Sequence, residues 1–466
     1  MTPATTLAAR PSVAEALDAL TALVEGDVVQ PGQDGWDDAR QAWNLAVDQR
    51  PAAVVLPECA EDVLATVQAA RAAGLRVAPQ GTGHNAGPLG DLSDTILLTT
   101  SRMRGVEIDP VAKVARVEAG ALWADVVAPA AEYGLAALSG SSHDVGVVGY
   151  TLGGGASWLV RKYGPAARYV QAVEIVTADG ELIRADAENH ADLLWAVRGG
   201  GGSFGVVTAL EFGLFEITEV FAGALFFPYE RSEEVLTAWA RWTKDMPNEM
   251  TSVGRMLQVP PIPELPEFLR GQSFAVIEAI YCGDPAEGER LVAPLRELGP
   301  AVDTIATIPV EGLLQLHMDP PEPVPGKGGG ALLADVDDDA IRALVATAGP
   351  GSHSPLLGVE IRHMGGAAAE PHPELGAMVS IPEPYAMFAV GMAIPEIVEA
   401  VEHHVSLVQT AVEPWSTGRG YLNFVEEPTD AATLFERQAY ARLREVKARY
   451  DASDVVRSNH PVAPAR

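Results

Sequence analysis

Cysteine is nearly absent: Cys59 and Cys282 are the only two among 466 residues, and they form no C-x-x-C pair. That excludes a disulfide framework and a thiolate metal site, and both thiols read as small core residues. Positive charge is scarce as well, with 32 Lys+Arg against 63 Asp+Glu, a formal net charge of −31. The excess is spread along the chain, so it repels phosphate backbones and anionic lipid, and neither nucleic acid nor a membrane is an expected partner. No run approaches the roughly 18 apolar residues of a membrane span. The opening "MTPATTLAARPSVAEALDAL" carries no basic leader ahead of an apolar core. A soluble, cytoplasmic protein is the expectation.

Hydrophobic residues make up 48% of the chain, ample for packed cores, and the length exceeds what one core usually serves. A helix is expected after Ser12, which stands three residues before Glu15 as in a capping box. Strand and helix patterns then alternate to about residue 215: "AAVVLP", the helix "CAEDVLATVQAARAAG" closed by Gly74, "LRVAPQ", "TILLTT", "VARVEAG", the helix "ALWADVVAPAAEYG", "VQAVEIVTADG", "ADLLWAVR" and "FGVVTALEF". From 216 the composition shifts, with proline-rich breaks at "VPPIPELPEF" and "MDPPEPVPGKGGG" marking a second domain. The last segment, from "YLNF" onward, reads as a strand, a long charged helix and an extended end.

Glycine is abundant, 45 in all, and three loops of the first half concentrate it: 81–90, 146–155 and 199–205. The first, within "VAPQGTGHNAGPLG", spaces Gly81, Gly83 and Gly87 as G-x-G-x-x-x-G and is followed by a turn and a strand. A Rossmann phosphate loop needs G-x-G-x-x-G and a helix there. Gly200, Gly202 and Gly205 do match that spacing, but between a helix and a strand, the reverse polarity. No Walker A, H-E-x-x-H or G-x-S-x-G motif occurs, and His403 and His404, adjacent on a helix, face different ways and make a poor metal pair. Loops this bare let main chain approach a large ligand and offer N–H groups to phosphates, so a dinucleotide held by loops fits; singly, each also fits a tight turn.

Four stretches in order, "PAAVVLPECAEDVLATVQAARAAGLRVAPQGTGHN", "DVGVVGYTLGGGASWLVRKYGPA", "LLWAVRGGGGSFGVVTALEF" and the terminal "YLNF" with "RLREVKARYDASDVVRSNHPV", resemble the berberine bridge enzyme-like FAD-linked oxidases of the vanillyl-alcohol oxidase superfamily. The resemblance covers about 40–215 and 420–463. It implies an α+β fold, with a PCMH-type FAD-binding domain built from both chain ends (1–215 and the berberine-like segment 420–466) around an inserted substrate domain of antiparallel sheet and helices (216–419). It also implies FAD bound covalently through His84. Cofactor contacts follow from Gln80, Gly81, Thr82, Gly83, Asn85 and Gly87 in the first loop. Gly140, Ser141, Ser142, Val145, Gly146, Gly149, Tyr150, Gly153 and Gly154 supply the second group, and Val207, Tyr421, Asn423 and Asn459 complete the set. Ser142 stands where many relatives carry a second flavin-linking cysteine, which leaves a single bond. Tyr150 stands where they often have a histidine.

The resemblance implies hydride removal from a C–H beside nitrogen or oxygen of a small organic substrate, with O2 as acceptor, and admits a homodimer. In several relatives the second aromatic of "YxNY" is a tyrosine base. Here it is Phe424, which takes no proton, so His363, Tyr421 and Tyr385 become the candidates, His363 and Tyr421 foremost. The missing tyrosine favours an amine, whose lone pair drives hydride loss. Phe424 also suits a flavin-binding member without turnover, and a dehydrogenase that does not use O2 is a further alternative.

Overall fold

The computed structural model describes residues 10–262 and 270–466, so part of the first proline-rich break lies outside the described residues. The helix Val13–Thr21 begins as its capping box predicts: Ser12 Oγ accepts from the Glu15 N–H, and the Glu15 carboxylate accepts from the Ser12 N–H. Three parallel strands follow, Thr95–Thr99 lying between Ala53–Leu56 and Arg76–Gln80, with Asp27–Val29 antiparallel at the edge. The crossover that parallel pairing demands is the helix Ala60–Ala73. It stops at Gly74, whose φ of +70° suits a residue without Cβ.

A second, five-stranded sheet is antiparallel throughout, in the order Val106–Asp109, Val114–Glu118, Val206–Gly213, Val170–Val176, Leu182–Ala185. Between Val114–Glu118 and Val170–Val176 the glycine-rich stretch is not wholly loop: Val147–Leu152 forms a short helix. Val147, Val148 and Leu152 are buried in the core with Trp123 and Phe212, so packing overrides the low helix propensity of Gly149.

The third sheet runs antiparallel in the order Val302–Asp303, Glu219–Pro228, Ser273–Tyr281, Met250–Gln258, Leu356–His363, Tyr385–Met392, Gly326–Leu333, with Ala306–Pro309 also paired to Glu219–Pro228. Side chains alternate across it. One face, with Phe227, Ile277, Ile361, Tyr385 and Met387, packs on helices that supply Trp239, Val292, Leu344 and Val408. The other carries Val253 and Ile280 against Trp158 and Leu159 of the first half.

The chain end returns to the first sheet: Val456 bridges Val77, and the Arg457 N–H donates to the Val77 carbonyl. Lys447, fully buried on the helix Arg437–Tyr450, fixes that return, since its Nζ donates to the Ser203 and Val456 carbonyls and meets Asp451 Oδ2 at 2.6 Å. "YLNF" is not a strand as expected. Leu422–Phe424 makes one 3₁₀ turn, closed by the Phe424 N–H on the Tyr421 carbonyl. Helices and largely antiparallel sheets thus form an α+β fold in which both chain ends share one unit. Among the described residues no helix is long and apolar enough to cross a membrane, and no cluster of metal-ligating side chains occurs.

Candidate active site

The loop after Arg76–Gln80 leaves the end of a parallel strand and is pinned by backbone bonds from Trp43 to the Thr82 carbonyl and from Asn44 to the Gly83 carbonyl. Gly83 has φ +86°, and a Cβ there would stand 2.8 Å from the Ala42 Cβ. The glycine is therefore required by protein against protein, not only by approach of a ligand. Beyond it the His84 ring stacks on Trp43, centroids 4.0 Å apart and planes 15° off parallel. Thr82 Oγ1 lies 2.7 Å from His84 Nδ1, and Asp144 Oδ1 lies 3.6 Å from Nε2. Asp144 also accepts from Ser142 Oγ at 2.6 Å and from Trp43 Nε1 at 2.5 Å. Burial alone would raise its pKa, but the bonds from His84, Ser142 and Trp43 prevail and hold it at about 2. The carboxylate is charged at neutral pH and can fix the tautomer of the imidazole.

The C-terminal turn faces this loop. Asn85 Nδ2 donates to the Leu422 and Val425 carbonyls, and Asn423 Nδ2 to the Tyr150 carbonyl. Tyr421 Oη accepts from the Ala156 N–H at 2.9 Å and lies 3.2 Å from Asn423 Nδ2. Burial lifts the Tyr421 phenol to about 12, so it is a bound, neutral hydroxyl. Gly140 abuts the Tyr150 ring, Gly153 the Asn423 amide and Gly154 the Tyr421 ring. Gly87 sits against the Glu426 carbonyl. The Val145 carbonyl accepts from Trp123, Ser141 Oγ donates to Asp319, and Asn459 Oδ1 accepts from the His460 N–H. Val207 is a buried strand residue of the five-stranded sheet.

Among these groups the structure leaves space and unmet polarity. No atom lies within 4 Å of a Cβ built on Gly149, and the nearest to Gly81 and Gly146 lie at 3.8 and 3.7 Å. Buried Tyr150 Oη, Asn85 Oδ1, Gln49 Oε1 and both ring nitrogens of His460 have no hydrogen-bond partner. Native proteins rarely leave buried polar atoms unpaired. A glycine-bordered cradle with orphaned donors and acceptors fits a large polar cofactor such as FAD.

His363, one of the candidate bases, faces away from the Tyr421 turn. It ends the strand Leu356–His363 on the helix-packed face, stacks on Tyr385 at 5.7 Å and has a buried, unpaired Nδ1. Burial, with Arg161 and Lys244 nearby, holds its pKa well below the usual value. Tyr385 shares that face, its hydroxyl 2.7 Å from Thr243 Oγ1. The residue that reaches the aromatic pair is Arg362, whose guanidinium carbon lies 5.2 Å from the Phe424 ring centre and 5.7 Å from that of Trp158. Behind it stand Glu360, His317, Glu278 and Arg255. None of these, nor Asp144, Trp43, Gln49 or His460, follows from the sequence reading. The available signal was a single charge inside each otherwise apolar strand, as in "FAVIEAIY" and "TSVGRML".

An FAD binding domain model matches residues 51–186. Over 456 residues, 95% of this chain and 97% of the other, the sequence is 28% identical to (R)-6-hydroxynicotine oxidase of Paenarthrobacter nicotinovorans. The structure of BBE-like 1 from Physcomitrella patens superposes with TM-score 0.84 at 20% identity, over 97% of this chain and 99% of that one. That of a glucooligosaccharide oxidase from Acremonium strictum, described as carrying 6-S-cysteinyl, 8α-N1-histidyl FAD, does so with TM-score 0.81 at 23% identity, over 97% and 99%. The FAD domain and the full-length relative agree that the chain is an FAD-linked oxidase similar to (R)-6-hydroxynicotine oxidase, and its fold is that of BBE-like 1 and the glucooligosaccharide oxidase.

Proposed function

We propose that this oxidase carries one FAD bound covalently through His84 Nδ1 and removes hydride from a C–H beside nitrogen or oxygen of a small organic substrate, with O2 as the final acceptor. The observation that carries the reading is the His84 environment. Asp144 stands at Nε2, Thr82 is the only side-chain partner at Nδ1 among the described residues, and Ser142 rather than a cysteine lies alongside. The histidyl-linked flavin of the glucooligosaccharide oxidase supports it by analogy.

FAD, when bound, supplies the hydride acceptor. This chain's residues supply position and electrostatics. Asp144 can accept the His84 Nε2–H, leaving the Nδ1 lone pair as nucleophile. His84, its ring held by Trp43, Thr82 and Asp144, would be the residue that holds FAD covalently. The glycine loop would give backbone N–H groups to the pyrophosphate. The 3₁₀ turn at 422–424 holds Asn423 and Tyr421 in fixed hydrogen bonds, and Phe424 forms with Phe388, 5.0 Å away, an apolar wall for the substrate.

Purified protein is expected to be yellow, to keep its colour in the acid-precipitated pellet and to gain the mass of one FAD. Cyclic amines, secondary alcohols and oligosaccharides, screened for peroxide release with anaerobic bleaching alongside, identify the substrate class. Bleaching without peroxide would replace the oxidase reading by a dehydrogenase, and a colourless pellet from loaded protein would overturn the covalent bond.

A further inference from the structure

Arg255, Glu278, Glu360 and Arg362 lie on three adjacent strands and share the sheet face turned to the flavin half, because Arg255 is directly opposite Glu360 while Val253 is opposite both Glu278 and Arg362. His317 joins them, with Nδ1 2.8 Å from Glu278 Oε2 and Nε2 2.7 Å from Glu360 Oε2. Arg255 meets Glu278 Oε1 at 2.9 Å and also donates to the His317 carbonyl. Asp319, held by Ser141 Oγ, is the remaining charge beside the array. Four of these groups, Arg255, Glu278, Glu360 and His317, are buried, and burying so many charges costs far more than exposed pairing returns unless their geometry serves something.

The array ends on Arg362. Its Nε donates to Glu360 Oε1 at 2.6 Å, and this is its only hydrogen bond among the described residues. Both terminal nitrogens remain uncommitted on a side chain that is 17% exposed and stands between Trp158 and Phe424. Glu360 is not a base in this setting: Arg362 and His317 both hold it ionised. Its role is to fix the guanidinium. Two parallel N–H donors on a planar, permanently charged fork match the two oxygens of a carboxylate.

We infer that Arg362 binds the substrate and that the substrate carries a carboxylate, anchored by the two free guanidinium nitrogens while its apolar part lies against Phe424 and Phe388. This rests on the flavin site proposed above. It also modifies the amine expectation: the acidic surface attracts a cation from a distance, but Arg362 repels an ammonium group at the site itself, so an amine must enter uncharged or carry its own carboxylate.

Benzoate is the probe, with benzyl alcohol and benzylamine as comparators. Each is titrated into full-length protein, followed by the visible flavin spectrum and, separately, by thermal shift. Benzoate is expected to saturate the wild type. Arg362→Met should weaken it by roughly 10- to 100-fold, the effect of losing charge-assisted hydrogen bonds, and Arg362→Lys should restore part, with benzyl alcohol unchanged throughout. Equal benzoate affinity in wild type and Arg362→Met, or no benzoate binding to the wild type, would overturn the inference. The thermal-shift arm needs no flavin, so it decides Arg362 even if the protein is colourless; a yellow protein whose benzoate affinity ignores Arg362 sinks this inference alone.

Discussion

Arg362 and His363 are neighbours in sequence that occupy opposite faces of one sheet, Arg362 against Phe424 and Trp158, His363 against Tyr385. The strand period of two separates their functions. His363→Gln should therefore lower stability while leaving the flavin spectrum and KM near wild type, and Arg362→Met should do the reverse. Thermal denaturation and steady-state kinetics on both variants check this. A large fall in kcat for His363→Gln at unchanged flavin content would return it to the chemistry.

Two buried histidines give the fold opposite pH slopes. For His317, burial and Arg255 press the pKa down, but Glu278, Glu360 and Asp319 outweigh them and raise it to about 9. A raised folded pKa stabilises fully below the unfolded value of about 6.5 and is lost as pH climbs through about 9. For His363, burial first and then Arg161 and Lys244 lower the pKa, so the fold holds it neutral and loses stability as pH falls below about 6.5. Urea denaturation from pH 5 to pH 10 should show His317→Gln with a flatter alkaline limb and His363→Gln with a flatter acid limb. Unaltered limbs in both would mean that other groups set the profile.

Much of the flavin half was legible in the sequence. Ser12 caps its first helix and Gly74 closes the crossover helix, its parallel strands are short apolar runs, and His84 sits in a glycine-rich loop directly after one of them. The inserted sheet was legible as strands but not in its pairing. Arg255, Glu278 and Glu360 come together through register between strands more than a hundred residues apart at the extremes, and register does not show in local pattern. His363 was singled out and Arg362 passed over unmentioned, because residue type was weighed without facing. The "YLNF" turn was misread because its aromatic residues have strand propensity, and tertiary contacts set the backbone there instead.

The two glycines of the cradle separate fold from cofactor. Gly83→Ala places a Cβ at φ +86° and 2.8 Å from Ala42, and should cost about 1–2 kcal/mol or more in stability. A built Cβ at Gly149 meets no protein atom within 4 Å and needs no left-handed backbone. Gly149→Val should then fold but lose flavin, read from the ratio of visible to ultraviolet absorbance. Full loading of Gly149→Val would show that the cofactor does not occupy that space.

If FAD is bound covalently through His84 as proposed, Asp144 should govern attachment rather than turnover. Asp144→Asn keeps the shape but removes the charge that faces His84 Nε2 at 3.6 Å. Covalent incorporation, followed as the yellow fraction of acid-precipitated protein over time after FAD is added to apoprotein, should slow by on the order of 10-fold or more. His84→Ala should release all flavin to the supernatant. Wild-type incorporation in Asp144→Asn would leave Thr82 as the partner that matters.

Phe424 tests whether this enzyme needs a base at all. Its ring lies beside Tyr421 at 5.2 Å, Phe388 at 5.0 Å and the Arg362 guanidinium at 5.2 Å. A phenol introduced by Phe424→Tyr would stand near that cation, which favours its ionised form. The nearby hydroxyl of Tyr421 is held at about 12 by burial and serves the Ala156 N–H, so it does not compete. A general base contributes roughly 100- to 10,000-fold where a proton must leave. If the substrate is oxidised at a C–N bond as the neutral amine, Phe424→Tyr should change kcat only slightly, and Phe424→Ala should chiefly raise KM by loss of the apolar wall. If the reacting group is a hydroxyl, Phe424→Tyr should raise kcat and add an alkaline limb to its pH profile. Turnover measured on an amine and an alcohol bearing the same carboxylate distinguishes the cases, because on the proposed anchoring Arg362 would hold both alike and only the proton requirement would differ.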